Sequence, residues 1–114
     1  MVKTAASSSP GTLASPLVAT DITTGITTEM GSLLKKVEGV VSLHFLFRDG
    51  IFSTWVGTTK YKDENVRRAI YGIEDKIEKD FSDVKFDFNL IAVPPGRTID
   101  DFISDATPVF KRTA

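Results

Sequence analysis

FLFRDGIFSTW, residues 45–55, decides how the rest of the chain is read. Two apolar runs flank Asp49-Gly50. Asp-Gly tolerates the positive φ angles of a type I′ turn, whose twist matches antiparallel strands. The stretch therefore predicts a β-hairpin with strands over 40–48 and 51–58. A two-residue turn sets Arg48 opposite Ile51, Phe47 opposite Phe52, Phe45 opposite Thr54, His44 opposite Trp55 and Leu43 opposite Val56. Alternation then puts Val41, Leu43, Phe45, Phe47, Phe52 and Val56 on one face, which is the core face. The other face receives Ser42, His44, Leu46, Arg48, Ile51, Ser53, Trp55 and Gly57. That second face carries too many apolar groups for a plain solvated surface.

Helices are predicted on both sides of the hairpin. Upstream, TEMGSLLKKVE (28–38) places Met30, Leu33, Leu34 and Val37 on one stripe, with Gly39 suited to its end. Before it, residues 1–27 are dominated by Ser, Thr, Ala, Gly and Pro and read as a flexible N-terminal segment. Within that segment Ile22 and Ile26 are able to dock on the domain or form an edge strand. Downstream, 63–82 is the strongest helix: Asp63 caps it, and Val66, Ala69, Ile70, Ile73, Ile77 and Phe81 repeat at three and four residues. Glu64–Arg68 and Asp75–Lys79 fall at i,i+4, and the run EDKIEKD (74–80) reads as a solvated face.

A third strand follows at VKFDFNLIAV (84–93), with Val84, Phe86, Phe88 and Leu90 on one side and Ile91 and Val93 adding apolar groups to the other. Pro94-Pro95 stops it, since proline cannot donate to a ladder. Thr98 caps a short helix over 98–106, and TPVFKRTA (107–114) offers a fourth strand or docks Val109 and Phe110.

The order α-β-β-α-β-α predicts an α+β two-layer sandwich, one small domain over 28–114. Its sheet is three-stranded, or four-stranded with 107–114, and mostly antiparallel, with helix 63–82 packed on the phenylalanine face. The expected strand order is 2-1-3, the third strand lying antiparallel beside the first.

Composition narrows the function. Fourteen basic and fifteen acidic residues give a net charge of −1, a poor match for nucleic acid. The absence of cysteine removes disulfides, thiol nucleophiles and cysteine metal sites, and one histidine excludes a multi-histidine metal site within one chain. No metal or cofactor is expected. No stretch has the roughly 18 apolar residues of a membrane span, and the N-terminus lacks a secretory apolar core, so a cytoplasmic location is expected.

Two places invite chemistry. His44, opposite Trp55, is the one side chain that naturally titrates near neutrality, but no serine or carboxylate has a sequence-defined place beside it, so no catalytic triad is supported. Gly96, Arg97 and Thr98 lead into a helix N-terminus and are weak anion-binding candidates, opposed by Asp100 and Asp101 in the first turn. The nucleotide fingerprints GxGxxG and GxxxxGK[ST] are absent.

LLKKVEGVVSLHFLFRDGIFSTWVG (33–57) resembles the opening of roadblock-type domains: a helix, a Gly-Val junction and a hairpin with an Asp-Gly turn. Those are α/β dimerising scaffolds, so the resemblance implies self-association. The later chain departs from it, with one clear strand after the long helix where the family has more.

The expected function is a non-enzymatic interaction module that homodimerises through the second face or edge of its sheet, through His44, Leu46, Ile51, Trp55, Ile91 and Val93. The alternatives are a small-ligand or enzymatic domain with a pocket near His44 and Trp55, and an accessory subunit that docks a different protein.

Overall fold

The computed structural model describes residues 16–97 and 105–112, with side chains from residue 21 onward. Two helices and four strands follow in the order α1 (Pro16–Leu34), β1 (Val40–Arg48), β2 (Ile51–Thr58), α2 (Glu64–Asp80), β3 (Lys85–Ala92) and β4 (Thr107–Lys111).

The hairpin forms in the expected register. Arg48 faces Ile51, Phe47 faces Phe52, Phe45 faces Thr54, His44 faces Trp55 and Leu43 faces Val56. Asp49 and Gly50 hold φ of 56° and 78°, the left-handed pair that a type I′ turn requires. One parity change occurs at the far end. A bulge between Val40 and Ser42 slips the ladder, so Val40 joins the core cluster and Val41 does not. The expectation that Val41 shares the Leu43 face is corrected by that extra residue.

The sheet is mixed and four-stranded, ordered β3-β2-β1-β4. β1 pairs antiparallel with β2 and with β4, and β3 pairs parallel with β2, Ile51 facing Lys85 and Trp55 facing Asn89. The expected order 2-1-3 is therefore corrected. The direction of the third strand is as expected, since a strand parallel to β2 is antiparallel to β1. Its neighbour differs because α2 returns the chain along β2, while β4 takes the slot beside β1. There Phe110 sits opposite Leu43 and is buried.

The helix expected at 28–38 begins at Pro16 and ends at Leu34. The boundary expected between residues 27 and 28 thus falls inside α1. Ile22, Ile26, Met30 and Leu34 recur every fourth residue, and the last three are fully buried. Thr23, Thr24, Thr27 and Thr28 are weak helix formers, so α1 is held by this packed stripe more than by propensity. The Thr27 hydroxyl donates back to the Thr23 carbonyl at 2.9 Å, which satisfies it within the helix. The helix predicted over 98–106 falls mostly outside the described residues.

α2 starts as expected: the Asp63 carboxylate accepts from the backbone N–H groups of Asn65 (2.9 Å) and Val66 (3.3 Å). Glu64 and Arg68 pair along the helix. Asp75 and Lys79 do not. Lys76 bridges Asp80 at 2.6 Å and Glu29 of α1 at 3.3 Å, tying the two helices together.

Between the helices and the sheet lies one core, built from Ile26, Met30 and Leu34 of α1, Val66, Ile70 and Ile77 of α2, and Val40, Leu43, Phe52, Val56 and Phe110 of the sheet. Phe52 is its centre. Its ring lies 5.4 Å from Phe45 in a stacked arrangement, 5.8 Å from Phe47, and 5.8 Å edge-on to Phe86, which stacks on Phe88 at 5.1 Å. The aromatic row crosses three strands, and such pairs add about 0.5–1.5 kcal/mol each beyond their area.

Candidate functional site

The second face of the sheet is closed at one end and open at the other. Following the register, Lys85, Ile51 and Arg48 form one row, Asp87, Ser53 and Leu46 the next, then Asn89, Trp55, His44 and Pro108, then Ile91, Gly57, Ser42 and Lys111. Ser42, His44 and Gly57 are buried, as is Val93 just beyond the strand. Leu46, Trp55 and Ile91 are half-buried, and Ile51 is 42% exposed. The six residues expected to share an open surface are thus divided: His44 and Val93 are inside, while Leu46, Ile51, Trp55 and Ile91 retain access to solvent.

A cavity of about 400 Å³ lies beside the outer strand β3, lined by Trp55, Tyr61, Tyr71, Glu74 and the run Phe88, Asn89, Leu90, Ile91. Each wall has a local cause. β3 is the last strand of the sheet on this side, so its outer margin has no strand neighbour among the described residues. Tyr61 stands in the loop after β2, where the Arg67 guanidinium donates to its carbonyl at 2.6 Å. Tyr71 and Glu74 are one helical turn apart on α2, four and seven residues after Arg67. The Asn89 amide donates to the Thr54 carbonyl at 3.0 Å, and Trp55 is its register partner on β2.

Glu74 is the unusual member. It is buried, although it belongs to the run expected to form a solvated face. No hydrogen bond or ion pair reaches its carboxylate from the described residues. Burial, and then the negative charges of Asp75 and Glu78, push its pKa up to about 7. Several cations of the helices and the loop before α2 are engaged elsewhere: Arg67 with the Tyr61 carbonyl, Arg68 with Glu64, Lys76 with Asp80 and Glu29, and Lys60 with Glu38.

The sequence placed a pocket near His44 and Trp55. Trp55 lines this cavity and His44 does not. Tyr61, Tyr71, Glu74 and Asn89 carried no functional expectation, although a charged residue at position 74 was itself a signal: it stands four after Ile70 and three before Ile77, in the middle of the buried stripe. The anion-binding expectation gains nothing. Gly96 (φ 81°) belongs to a turn closed by the Arg97 N–H on the Pro94 carbonyl, and Thr98 lies outside the described residues. Among the described residues no three His, Asp or Glu side chains group to hold a metal, and no helix is long and apolar enough to cross a membrane.

No family model, curated protein or solved structure matches the chain. The helix, Gly-Val junction and hairpin of the roadblock resemblance are all present, but it rests on those elements alone.

Proposed function

We propose that this domain is a non-enzymatic interaction module that self-associates through the open half of its second sheet face. The observation behind the reading is the division of that face: Leu46, Ile51 and Trp55 keep apolar surface in contact with water while their neighbours Ser42 and His44 are buried. In a small domain the net stability is only about 5–15 kcal/mol, and apolar surface contributes about 25 cal/mol per Å² when covered. The patch also carries both signs of charge, with Arg48 and Lys85 flanking Ile51 and Asp87 one row away. A two-fold axis lying in the interface plane, between and parallel to these two rows, sets Lys85 of one copy against Asp87 of the other, the self-complementarity a symmetric dimer requires.

Light scattering across a concentration series tests this. The wild-type chain should approach twice its 12.5 kDa mass at high micromolar concentration, and a Leu46→Glu/Ile51→Glu variant should stay monomeric with its melting temperature nearly unchanged. A strict monomer in the wild type would overturn self-association and return the face to the accessory-subunit reading.

The cavity beside β3 favours a second reading, small-ligand binding next to Trp55. The two are compatible, because of the residues lining the cavity only Trp55 belongs to the Leu46–Ile51–Trp55 patch.

A further inference from the structure

The cavity beside β3 combines four aromatic rings (Trp55, Tyr61, Tyr71 and Phe88), the apolar side chains of Leu90 and Ile91, and one carboxylate, Glu74. At about 400 Å³ it falls within the range of small-ligand sites, roughly 300–1,000 Å³. We infer that it binds a methylated ammonium group on the α2 side of β3, with the Tyr61, Tyr71 and Phe88 rings against the methyl groups and the Glu74 carboxylate as counter-charge.

The chemistry of the lining selects that class over others. Aromatic faces carry negative quadrupole charge and attract a cation within about 6 Å, and quaternary ammonium ions are the ligands such cages suit best. An anion would meet Glu74, with Asp75 and Glu78 behind it on α2. An unmethylated ammonium holds its water more tightly than a methylated one, and aromatic faces repay the loss of that water less well than they repay contact with methyl groups. A neutral apolar ligand would leave Glu74 buried without a counter-charge. Glu74 supplies the independent sign of a ligand, because it is more than nine-tenths buried, lines the cavity, and pairs with no cation among the described residues. The other titratable groups on the cavity are the phenols of Tyr61 and Tyr71. Both are largely exposed, at 41% and 48%, which places them at the mouth, where an incoming group meets them first.

The same group occurs in free trimethylammonium compounds and on trimethylated lysine side chains. The full chain is titrated with tetramethylammonium, with choline, with a trimethyllysine peptide and with its unmethylated counterpart, following Trp55 fluorescence. The neutral carbon isostere of choline, 3,3-dimethylbutanol, is the control. Saturable binding of at least one methylated ammonium probe is expected, with the isostere and the unmethylated peptide at least tenfold weaker. Affinity should rise roughly tenfold from pH 6 to pH 8 as Glu74 ionises through about 7. Glu74→Gln should lose about tenfold at pH 8, and Tyr71→Ala, at a half-exposed position, severalfold with little change in melting temperature. Tighter binding of choline than of the peptide assigns the site to a small molecule, and the reverse assigns it to a modified side chain. No saturation with any ammonium probe, equal binding of the isostere, or indifference to Glu74→Gln overturns the inference.

Discussion

Replacing Glu74 by glutamine should stabilise the protein, and more so as the pH rises. The folded carboxyl has its pKa raised from 4.5 to about 7 by burial and by Asp75 and Glu78. Because the folded value is the higher one, the native state binds more protons than the unfolded state between those two values. Stability from this group is therefore fully present below about pH 4.5, falls as pH rises through the folded value, and is flat above it. At about 1.36 kcal/mol per unit, the shift corresponds to roughly 3 kcal/mol in the limit of no screening. The open mouth of the cavity lets solvent reduce that to about 2 kcal/mol. Glutamine keeps the shape and removes the charge. The difference in unfolding free energy between Glu74→Gln and wild type should grow by about 1.5 kcal/mol from pH 5 to pH 8, equivalent to roughly 6–12 °C in melting temperature for a domain of this size. Urea unfolding of both proteins at several pH values isolates Glu74 and its coupling to Asp75 and Glu78, since the other titrating groups cancel in the difference. A difference that stays constant with pH, or a variant less stable than wild type at pH 8, would refute the argument that an uncompensated carboxylate is buried here.

Three further substitutions test how α1 and the turns that follow it are held. Ile26→Ala removes a fully buried side chain and should cost about 2–5 kcal/mol by urea unfolding, whereas a loss under about 0.5 kcal/mol would mean that the segment before Thr28 does not belong to the core. Gly39→Ala combines a positive φ of 87° with a new Cβ 2.8 Å from Lys60 Cγ, while Gly50→Ala meets only its own positive φ in open space. Both should destabilise, and Gly39→Ala by about 1 kcal/mol more. Equal losses would show that the Lys60 side chain moves aside without cost.

The parts of the fold that were legible in the sequence are those fixed locally. The hairpin register follows from Asp49-Gly50 and strict alternation, and α2 from the Asp63 cap and its apolar stripe. The neighbour of β3 was not legible. Phe86 and Phe88 face the helix layer whether the strand lies beside β1 or β2, so local pattern cannot choose between the slots. The choice depends on β4, five residues containing a proline, whose Phe110 reaches the core beside Leu43. The start of α1 was hidden for another reason. Thr and Ile crowd a helix at their branched Cβ and lower its propensity, so the fourfold spacing of Ile22, Ile26 and Met30 was outweighed by composition. Tertiary burial reversed that balance.

Glu74 is the point at which the inferred binding site departs from the pattern of the sequence. Counted from Val66, the buried stripe of α2 runs through Ile70, Glu74 and Ile77, with Ala69 exposed and Ile73 only half-buried. A leucine at 74 would satisfy the helix, the layer beneath it and the pH dependence at once. Places where a local choice contradicts an otherwise consistent pattern concentrate at functional sites. Here the contradiction is a carboxylate that lines a cavity with Tyr61, Tyr71 and Phe88 and pairs with no lysine or arginine among the described residues. A ligand that binds only the folded state stabilises it by RT ln(1 + [L]/Kd), and a cation does so here by offsetting the charge of Glu74. The same substitution that stabilises the empty protein should therefore weaken its binding, which separates a working site from a carboxylate that is merely ill placed.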